Sequence, residues 1–273
     1  MATERKASKS KKSAEPVTSA PDTPAASAGV QWRYAILTTP SAGGALVSRM
    51  LRETGAAGDP HAYFHPRALL AERARTGNKA LTLVEFMHKM EKEHSTPNGA
   101  FGLRMYFSHL MRAYGYRGGQ GGEAPFKAAG ALLRRHDKLI WVRRRNKLHQ
   151  AIAERLSRIN RRRQGKAAAP KKLMIMPTAI LSALRAVALE DRAWARMIRQ
   201  NKLQVLEIWY EDLEKDFEAQ SKRVLEYLGI AKDVEKLPAS PFGGGNSLLR
   251  DQIAATMLDF IQGKESAAQA DAA

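Results

Sequence analysis

The sequence contains no cysteine, which excludes a disulfide framework, a thiolate nucleophile and any cysteine-ligated metal centre. No stretch approaches the ~20 consecutive apolar residues that a membrane-spanning helix needs. The first 29 residues have no apolar core of the kind a secretory signal carries. The seven histidines show no paired H-E-x-x-H spacing, so no metal site is expected. Together these absences point to a soluble, cytoplasmic protein. Acidic residues are scarce as well: 27 Asp and Glu stand against 45 Lys and Arg, leaving a formal charge of +18.

That excess is concentrated. Between Arg143 and Lys172, twelve Lys and Arg face one acid, Glu154. Such a cluster attracts phosphate, sulfate, nucleic acid or acidic surfaces through a salt-dependent field, or else forms a solvated face. Residues 1–29 are rich in Ala, Ser, Lys and Pro and read as a disordered basic tail; residues 263–273 read as a second disordered tail. The body between them, 30–262, is read as one α/β domain.

Within it, "RYAILT" (33–38) is a short apolar run bounded by turn residues, the signature of a buried strand. Leu46, Val47, Met50 and Leu51 then recur at helical spacing, with Gly55 as the stop. Thr82 and Glu85 have capping-box spacing before a helix, and strands are expected near 102–107 and 139–142. Leu148, Ile152, Leu156 and Ile159 make the stripe of a helix after the third strand. Pro177 opens another long helix, "LQVLEIWYEDL" gives a strand, and a last helix ends at Gly229. Alternating strands and helices predict a mostly parallel sheet with helices on both faces, and ligands at the carboxyl ends of its strands.

Two loops qualify. "TTPSAGGALVSRM" (38–50) has the strand, glycine turn and helix of a phosphate cradle, but Ala45 and Leu46 stand where a Walker loop has lysine and a hydroxyl. An anion held there is held by backbone N–H groups and the helix terminus, worth about 0.3–1 kcal/mol per favourable contact. The alternative is a tight turn that only packs the helix on the sheet. In the second loop, Arg143 and Arg144 leave the third strand directly, and arginine's planar fork suits phosphate. His61 and His65 flank "AYF" in the loop after the first helix and have the chemistry for acid–base work.

Several segments, in order, resemble the bacterial sulfotransferases typified by trehalose 2-sulfotransferase. "GDPHAYF" resembles that family's G-x-P-x-E-[YF]-F, and "TPNGAFGLRMYF" its T-P-N-G-x-[FW]-G-x-K. "LIWVRRRNKLHQAIA" resembles the strand and helix ending in R-x-x-x-x-x-Q-A-x-S, and "YEDLEKDFEAQSKRVLEYLGI" the family's carboxyl-terminal helix region. The resemblance implies a three-layer, P-loop-related sulfotransferase fold and a possible homodimer. It also implies 3′-phosphoadenosine 5′-phosphosulfate as sulfate donor, without a metal, and a carbohydrate hydroxyl as acceptor.

Residue by residue, the Arg of the family's phosphosulfate loop falls on Ser41, its Gly on Gly43, and the next Ser and Thr on Gly44 and Ala45. The 3′-phosphate Arg is kept as Arg144 with its partner Ser replaced by Ala153, and the "TPNG" Lys becomes Arg104. Ser41, Gly43, Gly44, Arg104 and Arg144 are therefore the expected donor-binding residues. The family's catalytic Glu falls on Ala62, which leaves His61 and His65 as candidate bases. These replacements keep a second function open: a catalytically silent protein on the same fold, holding a polyanion through residues 143–172.

Overall fold

The computed structural model describes residues 29–116, 123–163, 176–242 and 247–262. Both tails, the glycine loop centred on 117–122 and the basic linker from 164 fall outside the described residues.

Strand β1 (Trp32–Thr38) leads into α1 (Gly44–Glu53). Then come α2 (Pro66–Thr76), α3 (Leu83–His94), β2 (Ala100–Tyr106), α4 (Phe107–Ala113) and α5 (Ala124–Leu133). The second half runs through β3 (Lys138–Arg143), α6 (Lys147–Arg163), α7 (Pro177–Gln200) and β4 (Leu206–Trp209), ending with α8 (Tyr210–Lys215), α9 (Phe217–Leu228) and α10 (Ser247–Ile261). The sheet has the order β2-β1-β3-β4 and every pair is parallel.

Period-two alternation gives each strand two buried faces. Tyr34, Ile36, Ile140, Val142 and Ile208 pack against α1 and α9 through Val47, Leu51, Val224 and Leu225. Ala35, Leu37, Leu103, Met105 and Trp141 pack on the opposite face with Phe86 of α3, Leu110 of α4 and Trp194 of α7. A third cluster joins α6, α7 and α10 through Ile152, Ile180 and Met257. The expected α/β sheet with helices on both faces is therefore present.

One expectation needs correction. "LQVLEIWYEDL" is a strand only over Leu206–Trp209, because Tyr210 starts α8. Arg144, which leaves the end of β3, is 4 % exposed.

The strand order fixes where a ligand can enter. The chain passes from β1 outward to β2, then crosses back to place β3 on the other side of β1. The loops after β1 and β3 therefore part in opposite directions and open a crevice at their carboxyl ends.

Candidate functional site

The loop Thr39–Gly43 forms one wall of that crevice. Ser41 (φ +57°) and Gly43 (φ +102°) both take left-handed backbone, which folds the chain tightly enough to start α1 at once. Gly44 has no alternative: a Cβ there would lie 2.6 Å from Thr38 Cγ2. The Leu46 and Val47 amides both donate to the Gly43 carbonyl. The Gly44 and Ala45 amides stand in the first turn, where a helix supplies no carbonyl. No side chain caps this terminus and no acid sits in its first turn, so the positive end of the helix dipole is uncompensated there.

Behind the loop, polar side chains hold it in place. Fully buried Gln150 donates from Nε2 to Thr39 Oγ1 and to the Pro40 carbonyl, both at 2.7 Å. Trp194 Nε1 donates to the Thr38 carbonyl at 2.9 Å, and Thr38 Oγ1 to the Val142 carbonyl at 3.2 Å. The cradle is thus shaped without a ligand, which lowers the ordering cost of binding one.

The two arginines after β3 part company. Arg143 lies between the rings of Trp141 and Trp209, 3.8 and 4.5 Å from their centroids, and pairs with Asp191 at 2.9 Å. Arg144 turns the other way, its guanidinium 4.0 Å from the Tyr210 ring centroid and Nη1 donating to the Ser41 carbonyl at 3.4 Å. Arg144 is the one aimed at the first loop.

Just beyond it, the Glu211 carboxylate accepts from the Arg145 and Asn146 amides at 3.0 Å. Burial pushes that carboxyl up, but these two amides, its own amide and the nearby Arg144 charge together hold it below the ordinary range. The opening of α6 is therefore already occupied by an anion of the protein's own.

Glu154 is a further internal anion. It is 5 % exposed and accepts from Ser41 Oγ at 3.2 Å, while Arg158 and Arg161 approach its other oxygen.

The two candidate bases, His61 and His65, belong to different clusters. His65 caps α2: its Nδ1 accepts from the Arg67 amide at 3.1 Å. That hydrogen bond assigns the proton of the neutral ring to Nε2. Burial, then the nearby Arg67 and Arg161, lower its proton affinity further. Its ring meets His109 edge-on at 4.7 Å, and burial takes His109 down to about 4. His65 accordingly offers an N–H rather than a base.

His61 belongs to another cluster, 3.2 Å from Asp59 Oδ1, with Arg52 Nη1 3.5 Å from its Nε2. Arg52 sits at the far end of α1, about 12 Å along the helix axis from Gly44. Arg104, on β2, is beside His61: its amide donates to the His61 carbonyl at 2.9 Å, its Cζ is 5.9 Å from the Tyr106 ring centroid, and its buried Nε makes no hydrogen bond within the described residues.

Of the five expected donor-binding residues, Ser41, Gly43, Gly44 and Arg144 share the crevice, and the fifth, Arg104, lies on β2 with its amide on the His61 carbonyl; the candidate base His61 sits with the cluster at the far end of α1. Sequence reasoning gave no role to Gln150, Glu154, Tyr210 or Trp194. Gln150 and Glu154 are four apart on α6 and so share a face, and Glu154 is the one acid in the basic stretch; those were the signals available. Among the described residues no group of three or more metal-ligating side chains occurs, and no helix is long and apolar enough to cross a membrane.

A family model described as Stf0 sulphotransferase matches residues 33–242, which includes both crevice loops and all of the sheet but Trp32. No curated protein matches the chain.

Proposed function

Because the chain belongs to the Stf0 sulphotransferase family, we propose that it binds 3′-phosphoadenosine 5′-phosphosulfate at the β1/β3 crevice and transfers its sulfuryl group to a carbohydrate hydroxyl. The observation that carries this reading is the convergence of an uncapped helix terminus with a buried guanidinium. The Gly44 and Ala45 amides open on one side, and Arg144 reaches the Ser41 carbonyl from the other.

The donor, when bound, supplies a sulfuryl group on a phosphate leaving group. The chain's part is to hold the anion and to stabilise the charge that grows on the leaving oxygens. Backbone amides of the first loop would meet the 5′ end, where this chain has no arginine. Arg144, stacked on Tyr210 and so kept in one orientation, would meet the 3′-phosphate with its fork. His65, with Nδ1 taken by the Arg67 amide and the proton on Nε2, is unsuited to removing the acceptor's proton.

For the acceptor, a cavity of about 770 Å³ lies among α4, α5 and α7, lined by Phe107, Tyr116, Phe126 and Leu189 with Arg192 and Arg196. Its size lies within the range of small-molecule sites. Its aromatic faces suit the apolar face of a sugar ring.

A silent, polyanion-holding protein is the competing reading, and Ala62 in place of the family's Glu favours it. Against it, much of the described basic stretch is engaged internally: Arg143 and Lys147 with Asp191, Arg145 with Asp212, Arg158 and Arg161 with Glu154.

Calorimetric titration with adenosine 3′,5′-bisphosphate at two salt concentrations separates the two. Saturable binding that is lost in Arg144→Ala and weakened in Arg144→Lys is expected. Affinity for unrelated polyanions that falls steeply with salt, with no Arg144-dependent nucleotide binding, would favour the silent reading instead.

A further inference from the structure

The contact between Glu154 and the first loop stands out, because a carboxylate occupies the neighbourhood that the proposed donor needs. Glu154 Oε2 accepts from Ser41 Oγ at 3.2 Å, and its Oε1 faces Arg158 Nε and, at 3.7 Å, Arg161 Nη2. Its side chain is 7 % exposed, whereas those of Arg158 and Arg161 are 51 % and 59 % exposed. The carboxylate is therefore buried, while both arginines keep about half of their surface in water.

Burying a carboxylate is costly unless its oxygens are paired, and here the pairing bridges two elements. One oxygen is tied to the loop, the other to two arginines that follow at helical spacing on α6. Arg161 is held in turn by Ser157, whose Oγ accepts from its Nη1 at 2.5 Å.

From this arrangement we infer that Glu154 is an internal stand-in for the donor's phosphosulfate, and that donor binding transfers Ser41, Arg158 and Arg161 from the carboxylate to the incoming anion. The inference rests on the reading of the crevice as the donor site. It assigns the positive charge that the first loop lacks to α6 rather than to the loop. Glu154 then acts as a latch: its charge repels the donor until the arginines change partner, and the affinity of the site is set by that exchange.

The test is the same calorimetric titration with adenosine 3′,5′-bisphosphate on the full chain, comparing wild type, Glu154→Gln, the double variant Arg158→Gln/Arg161→Gln, and Arg144→Ala. Glutamine at 154 keeps an acceptor for Ser41 and removes the charge, so binding should tighten by about tenfold, the scale of a partly screened charge contact. In the double variant each glutamine keeps an N–H for the buried carboxylate but loses the charge; once unfolding curves show the protein folded, it should weaken binding by about tenfold.

Nucleotide binding that depends on Arg144 but is unchanged by Glu154→Gln and by the double variant overturns the latch and leaves the donor site standing. Weaker binding in a folded Glu154→Gln also overturns it. Binding in Glu154→Gln where wild type shows none supports it strongly. Absence of binding in every protein overturns both inferences.

Discussion

A polar cluster sits at each end of α1, and the two are built differently. At the amino end, Ser41, Arg144, Gln150, Glu154 and Trp194 close around the first loop, with the last four nearly or fully buried. At the carboxyl end, Arg52, Asp59, His61 and His94 gather at 3.2 to 3.8 Å with side chains 29 % to 48 % exposed. The first cluster positions backbone against side chain and leaves little room for error. The second places opposite charges near water, where screening makes each contact cheap. Histidine in the sequence drew attention to the second cluster, but burial makes the first the functional candidate.

The comparison can be broken most sharply at Gly44. A methyl group there meets Thr38 at a separation no real side chain tolerates, so Gly44→Ala should lower stability by about 2–3 kcal/mol as the overpacked turn shifts. Denaturant unfolding measures this, and a loss below half that value would show the loop to be pliable. Next in size, Arg144→Lys keeps the charge but not the fork, and should weaken bisphosphate binding about tenfold or more, read by calorimetry.

His65→Ala removes the cap of α2 and should cost about 1 kcal/mol of stability while nucleotide binding persists. The smallest effect belongs to the open cluster. Burial pushes the Asp59 carboxyl up, but His61, His94 and Arg52 outweigh burial and hold it below its ordinary value of 3.8. A depressed carboxyl stabilises the fold above its unfolded value, and that contribution disappears as pH falls through the folded one. Asp59→Asn should therefore be slightly less stable than wild type at neutral pH, by under about 1 kcal/mol, and the two unfolding curves should converge below about pH 4. His61→Ala should leave bisphosphate binding unchanged. A clear loss there would join the two clusters functionally and undo the contrast.

The parts of the fold visible in the sequence are those written in local chemistry. Thr82 and Glu85 do form the reciprocal cap, with Glu85 N donating to Thr82 Oγ1 and Thr82 N to Glu85 Oε2. Gly229 ends α9 at φ +79°, and Pro177 opens α7. By contrast α2 was invisible, since "PRALLAERART" buries only Glu72 and carries no apolar stripe. At the site, the run of arginines from 143 gave charge without direction. Arg143 and Arg144 are neighbours whose side chains leave a strand on opposite sides, and only the placement of Asp191 on one side and Tyr210 on the other decides which one faces the loop. Glu154 was hidden for the same reason: its partner Ser41 is 113 positions away.

The strand order also has a consequence for the order of events during synthesis. β1 is one of the sheet's two inner strands and emerges early, yet its hydrogen-bonding partner on the crevice side is β3, with Thr38 and Val142 lying 104 positions apart. Until the ribosome has delivered β3, one edge of β1 and the apolar side chains flanking it have no native cover. Parallel pairings of such long range form slowly and expose sticky edges meanwhile. A nascent chain halted before Lys138 should therefore be a client for holding chaperones, and the crevice that the loops share comes into being only after β3 has threaded in beside β1.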